Sequence, residues 1–513
     1  MITITPDLEN KNIKTYNKLA QYYSNKPVTK PFASQNPTSF GNISSEKATA
    51  TIPVDSFDDS MQRIINSANG LSKPEEINIK SELAMVDAQI KILEERRLKL
   101  GRLLDYDTLR KNGFSTSEIR QFIKEDDQAL KNADKFVTQT NQVREYMFGY
   151  PANMTEDSAM TKYLRRKESE LALMNNCGDP YDAGNYLLDS KSYERALLEK
   201  LFDHFGLDKT SNPWGYITTG GSESNKWGIH NGLRKFPDGR VYYSTAAHYS
   251  VGKSVKIGFD QSKNDITLIK HSEIPPQKGS EKIDTNILLS QIRENWRINR
   301  EPAIVLLTAG TTKTGAVDDI EFISKRLEIE KIPHYIHVDA ALFGGIAKNQ
   351  KNAPRQLDMS KLGIDSISVS LHKYFGNHDV KSVVITKEPP NAPKVDYIGQ
   401  YDSTTAGSRT FNPFSSLQRI NETLDRKMPN EYSKNVKIFE RLLNEHKIDF
   451  SRAEHSNIFV IDQPSEYVYS KYQLSNFEDE GEQKSHIIIF PSHKESKMVE
   501  LVYDLAEDRK KIN

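Results

Sequence analysis

Lys373 stands in Ser368-Val-Ser-Leu-His372-Lys373-Tyr374, directly after a run that reads as a buried strand. Burying an ammonium is expensive, so a lysine there either pairs with a carboxylate or is neutral or condensed with a carbonyl. Desolvation lowers its pKa and makes the amine a nucleophile. Taken alone, such a lysine is also an ordinary strand-end surface residue. Asp339, in His337-Val-Asp339-Ala-Ala-Leu, lies 34 residues earlier (373 − 339) and follows its own strand-like run, Tyr335–Val338. A carboxylate there can pair with a cationic ring nitrogen, and the small residues Ala340 and Ala341 leave room for a flat ring; the bland alternative is a cap on the next turn. Thr218-Thr-Gly220-Gly221-Ser222-Glu223-Ser224-Asn225 follows the run Trp214–Thr218 and opens a helix. Its free N–H groups and the positive end of the helix dipole make a phosphate site. It is neither a P-loop nor Gly-x-Gly-x-x-Gly, which disfavours nucleotide binding. His248, in Ala247-His248-Tyr249-Ser250, is a stacking face or a plain loop residue, and Ala309-Gly310-Thr311-Thr312 is a further turn after a strand.

Together these segments meet the needs of pyridoxal 5'-phosphate. A phosphate needs a helix N-terminus, an aldehyde needs a lysine, a pyridine nitrogen needs a carboxylate, and the ring needs a face to stack on. The elements that must position them alternate strand and helix from about residue 138. Short β-rich runs occur at Val241–Ser244, Ile266–Ile269, Ala303–Leu307, Tyr335–Val338, Ser366–Ser370 and Ser382–Thr386, with helical stretches such as Ile320–Glu330 between them. Alternation of this kind predicts a mainly parallel sheet covered by helices, with ligands at the carboxyl ends of its strands.

The rest of the chain divides by composition. Residues 1–72, rich in Ser, Thr, Asn, Lys and Pro, read as a flexible tail, with an address for a specialised secretion system as the alternative. Residues 73–137 read as a helical hairpin that packs on its own chain, with a partner for it as the alternative. In it Leu83, Val86, Ile90, Leu93, Leu100 and Leu104 form an apolar seam broken by Arg97, and Ser115-x-x-Glu118 fits a capping box. Residues 138–412 form the large domain, and 413–513 a small α/β domain with strands at Asn457–Ile461 and His486–Phe490. The 513 residues carry 70 basic and 70 acidic side chains, which argues against a nucleic-acid binder working by bulk charge. One cysteine, Cys177, excludes an intrachain disulfide and a Cys-rich zinc site; no metal is called for. The apolar runs are strand-sized, too short to span a membrane, and the first residues lack the layout of a secretory signal. The expectation is a cytoplasmic protein.

The chain resembles the group II pyridoxal-phosphate-dependent decarboxylases, most of all the bacterial histidine decarboxylases and plant serine decarboxylases. The collinear blocks that carry the resemblance include Phe148-Gly-Tyr-Pro-Ala-Asn153, Asn175-Asn-Cys-Gly-Asp-Pro-Tyr181, Trp214 through Asn225, His248-Tyr-Ser250, Gly310-Thr-Thr312, Gly315-Ala-Val-Asp-Asp319, His337 through Phe343 and Ser370-Leu-His-Lys373. It implies the aspartate-aminotransferase-like fold, known as fold type I. It implies that Lys373 condenses with the cofactor aldehyde, Asp339 pairs with the pyridinium and His248 stacks on the ring. Gly221, Ser222, Ser370 and His372 would serve the phosphate, and Ala341 would line the ring site. Ser408 would reach the phosphate of a neighbouring subunit in a homodimer with shared sites. The expected reaction is decarboxylation of an L-amino acid, histidine first and serine or another amino acid next. An aldehyde-releasing lyase on the same fold, or an interaction protein with a vestigial enzyme domain, are the readings from other classes. Two stretches depart from the family pattern, Asn377-His-Asp-Val-Lys-Ser382 and Gly407-Ser-Arg-Thr-Phe-Asn412, and both lie where relatives meet substrate and partner subunit.

Overall fold

The computed structural model describes residues 79–182, 188–207, 212–256, 269–346, 357–390, 409–425 and 428–512. The proposed tail, 1–72, and Ser408 lie outside them. The chain divides into two compact units, residues 1–121 and 122–513. The first contains helix α1 (Ile79–Lys111). Much of its seam is exposed, Leu93, Leu100 and Leu104 among it. Helix α2 (Thr116–Arg144) opens on the reciprocal cap its sequence predicts: Ser115 N–H donates to Glu118 Oε2 (2.8 Å), and Glu118 N–H donates to Ser115 Oγ (3.3 Å).

The second unit opens with α3 (Ala159–Glu168) and α4 (Lys191–His204). Strand and helix then alternate: β1 (Trp214–Thr218), α5 (Gly221–Lys235), β2 (Arg240–Ser244), α6 (Tyr249–Lys256), β3 (His271–Ile274), α7 (Thr285–Asn299) and β4 (Ala303–Thr308). They continue as α8 (Ile320–Ile329), β5 (His334–Asp339), α9 (Phe343–Ile346), β6 (Ser366–Ser370) and β7 (Ser382–Thr386). These seven strands form one sheet in the order β1-β7-β6-β5-β4-β2-β3. Only β7 is antiparallel to its neighbours, so β6 ends and β7 begins at the same end of the sheet, where Ser370 pairs with Ser382. Apart from His334, which opens β5, every residue of β4, β5, β6 and β7 is buried, which is why they read as near-continuous apolar runs. The strand expected at Ile266–Ile269 is corrected to His271–Ile274; residues 266–268 lie outside the described ones, and Ile269 is not in a strand.

Two helices, α10 (Pro413–Asp425) and α11 (Met428–Glu445), lead to a second sheet. It is an antiparallel sheet of β8 (Ile458–Asp462), β9 (Ser475–Asp479) and β10 (Glu482–Ile488), in the order β8-β10-β9, with β10 in the middle. Helices α12 (Glu466–Lys471) and α13 (Glu495–Ile512) complete this part. The expected strand His486–Phe490 begins earlier, at Glu482, because it is the return arm of a hairpin turned at Glu480 and Gly481, both with positive φ. Among the described residues, no helix is long and apolar enough to cross a membrane.

Arg409, beside the undescribed Ser408, is a structural anchor. It is buried with Glu194 (Nη2 to Oε2, 3.0 Å) and donates to the Gly178 carbonyl. Glu194 also accepts from Asn176 and from the backbone of Ile217, so the pair ties α4, β1 and the 175–178 segment together.

Candidate active site

Register places the chemistry-bearing residues at one end of the sheet. Asp339 closes β5 opposite Thr308 on β4 and Ser368 on β6. Ser370 closes β6, Thr218 closes β1, and both face Ser382, the first residue of β7. The turn after β6 carries His372 and Lys373, the turn after β1 carries Gly221 and Ser222, and the turn after β2 carries His248.

Lys373 is held below its ordinary pKa by burial, with the charge of Asp339 opposing that shift. Its turn is fixed from outside: Asn153 N–H donates to the Lys373 carbonyl (2.7 Å), and Asn153 Nδ2 donates to the Tyr374 carbonyl (2.9 Å). Gly376, at φ 68°, closes the turn; a Cβ there would meet Arg419 Nη2 at 2.5 Å and the Asn153 carbonyl at 2.6 Å. Only glycine fits both the left-handed backbone and that approach.

Asp339 is buried inside a hydrogen-bonded network. Asn225 Nδ2 donates to Asp339 Oδ2 (2.7 Å), so Asn225 Oδ1 must accept, from Ser368 Oγ (2.6 Å) and His337 Nε2 (3.2 Å). His337 therefore carries its proton on Nε2, and its Nδ1 accepts from Ser366 Oγ (2.7 Å). Burial holds His337 down to about pKa 4, which keeps it neutral. Asp339 Oδ1 accepts from Ala341 N–H (3.1 Å), so the carboxylate caps the turn. Helix α5 supplies Asn225 because it packs across β5 and β6, and Gly228 lies so close to the His337 ring that a Cβ would collide with it.

His248 is half-buried, and its ring lies 4.4 Å from that of Tyr249. Ser250 N–H (3.3 Å) and Oγ (2.7 Å) both meet Nδ1, which is thus an acceptor, leaving Nε2 as the protonated atom. Burial lowers its pKa, Asp339 opposes the shift and Lys373 adds to it, so the imidazole feels both charges.

The first turn of α5 starts at Gly220, which offers no side-chain cap. A Cβ on Gly221 would come 3.5 Å from Ser370 Oγ and 3.9 Å from Ser382 Oγ; those two hydroxyls are 3.1 Å apart. Uncapped amides and two hydroxyls make a cradle for an anion. Ser222, at that turn, is exposed. Glu223 sits near it, but its Oε2 is taken by the Thr219 N–H (2.8 Å). His372 Nδ1 donates to the Lys381 carbonyl (3.2 Å), and burial lowers the ring's pKa, so in the neutral form Nε2 is an acceptor. A buried carboxylate, a depressed lysine, a half-buried imidazole and an anion cradle at one sheet edge fit pyridoxal phosphate.

Sequence reasoning missed the individual parts of Asn225, His337, Ser368 and Asn153. Each lies inside a block already singled out. The signal available was an amide or imidazole on a face otherwise apolar, and only the fold shows what it meets.

Comparison with known proteins agrees with this geometry. The family model "Aminotransferase class-V" matches residues 280–415. Histidine decarboxylase of Klebsiella aerogenes is 31% identical over 381 residues, 72% of this chain and 94% of that protein. Serine decarboxylase 2 of Oryza sativa subsp. japonica is 33% identical over 379 residues, 71% of this chain and 75% of that protein. Among solved structures, L-methionine decarboxylase from Streptomyces sp.590 superposes with a TM-score of 0.62 at 22% identity, covering 75% of this chain and 96% of the other, a likeness of fold. With the site's geometry, these likenesses establish that the chain belongs to the pyridoxal-phosphate-dependent amino acid decarboxylases.

Proposed function

We propose that this enzyme converts L-histidine to histamine and carbon dioxide, as a homodimer. The observation that carries the decarboxylase chemistry is the convergence of Lys373, Asp339 and His248 at one end of the sheet, where Asp339 acts on both other groups and Lys373 on His248. Histidine is favoured as substrate by the name of the Klebsiella relative at 31% identity. Serine is the second reading, favoured by the rice relative at 33%.

Pyridoxal phosphate, when bound, supplies a ring that takes up the electron pair left on the substrate as carbon dioxide departs. Lys373, its pKa lowered by burial, is the amine that would hold the cofactor's aldehyde. Asp339 supplies the negative charge that keeps a ring nitrogen protonated, and Asn225 and the Ala341 N–H hold that carboxylate in place. Gly221, Ser222 and Ser370 would hold the phosphate, Ala341 would leave the ring its space, and His248 would stack on the ring. His248 Nε2, the atom not engaged by Ser250, holds the proton for delivery to the substrate carbon. His372 completes the phosphate side, where protonation of Nε2 would make it a donor. In a homodimer, Ser408 would serve the phosphate of the second subunit.

The test is a product screen of the purified enzyme with cofactor against each common amino acid. Histamine and carbon dioxide in equal amounts from histidine support the assignment. Ethanolamine from serine moves it to the second reading, and an aldehyde in place of an amine overturns the decarboxylase chemistry.

A further inference from the structure

A cavity of about 590 Å³ opens beside the Lys373 turn, lined among others by His372, Asn377, Asn153 and Tyr150. Its wall and that turn are one piece of structure: His372 precedes Lys373, and Asn153 is hydrogen-bonded to the Lys373 and Tyr374 carbonyls. The cavity therefore backs onto the turn that carries Lys373. Most of the charge on the same wall is already matched. Asp157 is paired with Arg165 (2.9 Å) and lies 3.5 Å from His378 and 3.7 Å from Arg419.

Asn377 is different. The residue is 6% exposed, and neither Oδ1 nor Nδ2 of its buried amide has a hydrogen-bond partner among the described residues. Its backbone is held, N–H to the Leu371 carbonyl at 3.1 Å, so the side chain is fixed at the cavity wall and contributes nothing polar to the fold. Native proteins rarely bury an amide in this way unless something else completes it.

We infer that Asn377 is a specificity-determining residue that reads the side chain of the amino acid substrate, and that the cavity selects side chains carrying both a donor and an acceptor. An imidazole, a hydroxyl or a carboxamide has that pair; leucine and methionine do not. The inference rests on the decarboxylase reading and deepens it, and it does not depend on the substrate being histidine.

The test compares the wild-type holoenzyme with Asn377→Leu, similar in branching but apolar, and Asn377→Ser as a milder second variant. Carbon dioxide release is measured with histidine, serine, glutamine, methionine and leucine, alongside thermal unfolding and cofactor content. In Asn377→Leu, KM for the preferred polar substrate rises roughly 10- to 100-fold while kcat changes less than about threefold. The relative kcat/KM for methionine or leucine rises, and the unfolding temperature holds or increases, since an unpartnered buried amide has been removed. A merely structural asparagine gives the reverse, a lower unfolding temperature with equal losses on polar and apolar substrates, and that overturns the inference. A wild-type preference for methionine or leucine also overturns it and leaves the decarboxylase chemistry standing. Serine in place of histidine overturns only the histidine assignment.

Discussion

The two ends of the site are finished to different degrees. Around Asp339, Asn225 and His337, each side-chain polar atom has a partner, and the carboxylate fixes which way the Asn225 amide faces. At Asn377, two buried polar atoms have none. A complete network in a low-dielectric interior fixes geometry before any ligand arrives. It suits the end that holds a resident ring, whose nitrogen must always meet a carboxylate in the same place. An incomplete wall stays under-satisfied until a ligand supplies the missing groups, which suits the end where substrates come and go. Substitutions should therefore separate the two ends: one set damages cofactor binding and rate, the other damages choice of substrate.

Lys373 stands between the ends, and its replacement has the largest effect. Lys373→Ala removes the nucleophile, and carbon dioxide release falls about a thousandfold or more for all substrates alike. A substrate-dependent loss would blur the distinction between the ends. The next largest change lies in the finished network. Asn225→Leu leaves Asp339 Oδ2 without its 2.7 Å donor and the His337 and Ser368 donors without their shared acceptor. Losing a hydrogen bond to a buried charge lowers kcat by roughly 10- to 100-fold and weakens cofactor binding by a similar factor. Equilibrium dialysis of the cofactor reads the second effect independently of turnover, and the ratio between polar and apolar substrates stays constant. If that ratio changes, the two ends are not separable.

Stability sharpens the same contrast. Gly228→Ala inserts a methyl group into the His337 ring position, backed by Ser366 and Asn225. Overpacking there costs about 2 to 3 kcal/mol in urea unfolding. Asn377→Leu, of larger volume change in sequence terms, costs nothing. Equal losses would show that both ends are ordinary core.

The sheet was legible because its central strands are buried on both faces, so Ser366–Ser370 and Ser382–Thr386 read as strands without tertiary information. Lys373 and Asp339 were legible because charged residues next to such runs are costly. Strand β9, Ser475-Asn-Phe-Glu-Asp479, was not: it is a mostly exposed edge strand held by backbone pairing to β10, and no apolar alternation marks it. The Glu480-Gly481 turn was its one available sign. Nor could sequence assign Asn225 and Asn377 opposite conditions. Both are asparagines near a strand end, and only the packing of α5 gives one a carboxylate while the cavity leaves the other open.

The smallest effect concerns acid stability, and it contrasts the His337 end with the small sheet. Burial holds both His337 and His493 down to about pKa 4, against 6.5 unperturbed. His493 stacks on Phe148 at 4.2 Å and accepts the Phe490 N–H on Nδ1 (3.0 Å). Between pH 6.5 and 4 the unfolded chain binds protons that the folded chain refuses, so these two residues make stability fall as pH falls through that window. Asp318 acts the other way: burial raises it to about 6 from 3.8, so the folded chain holds its proton longer and gains stability as pH falls toward 3.8. Two histidines against one aspartate leave a net acid loss, with the unfolding temperature dropping a few degrees from pH 6.5 to 4.5. His493→Phe removes one of the two refusals. It lowers the unfolding temperature at neutral pH, because the Phe490 N–H loses its acceptor, and it flattens the acid slope. An unchanged slope would mean that His493 takes up its proton without cost, and that the small sheet opens before His337 feels the acid.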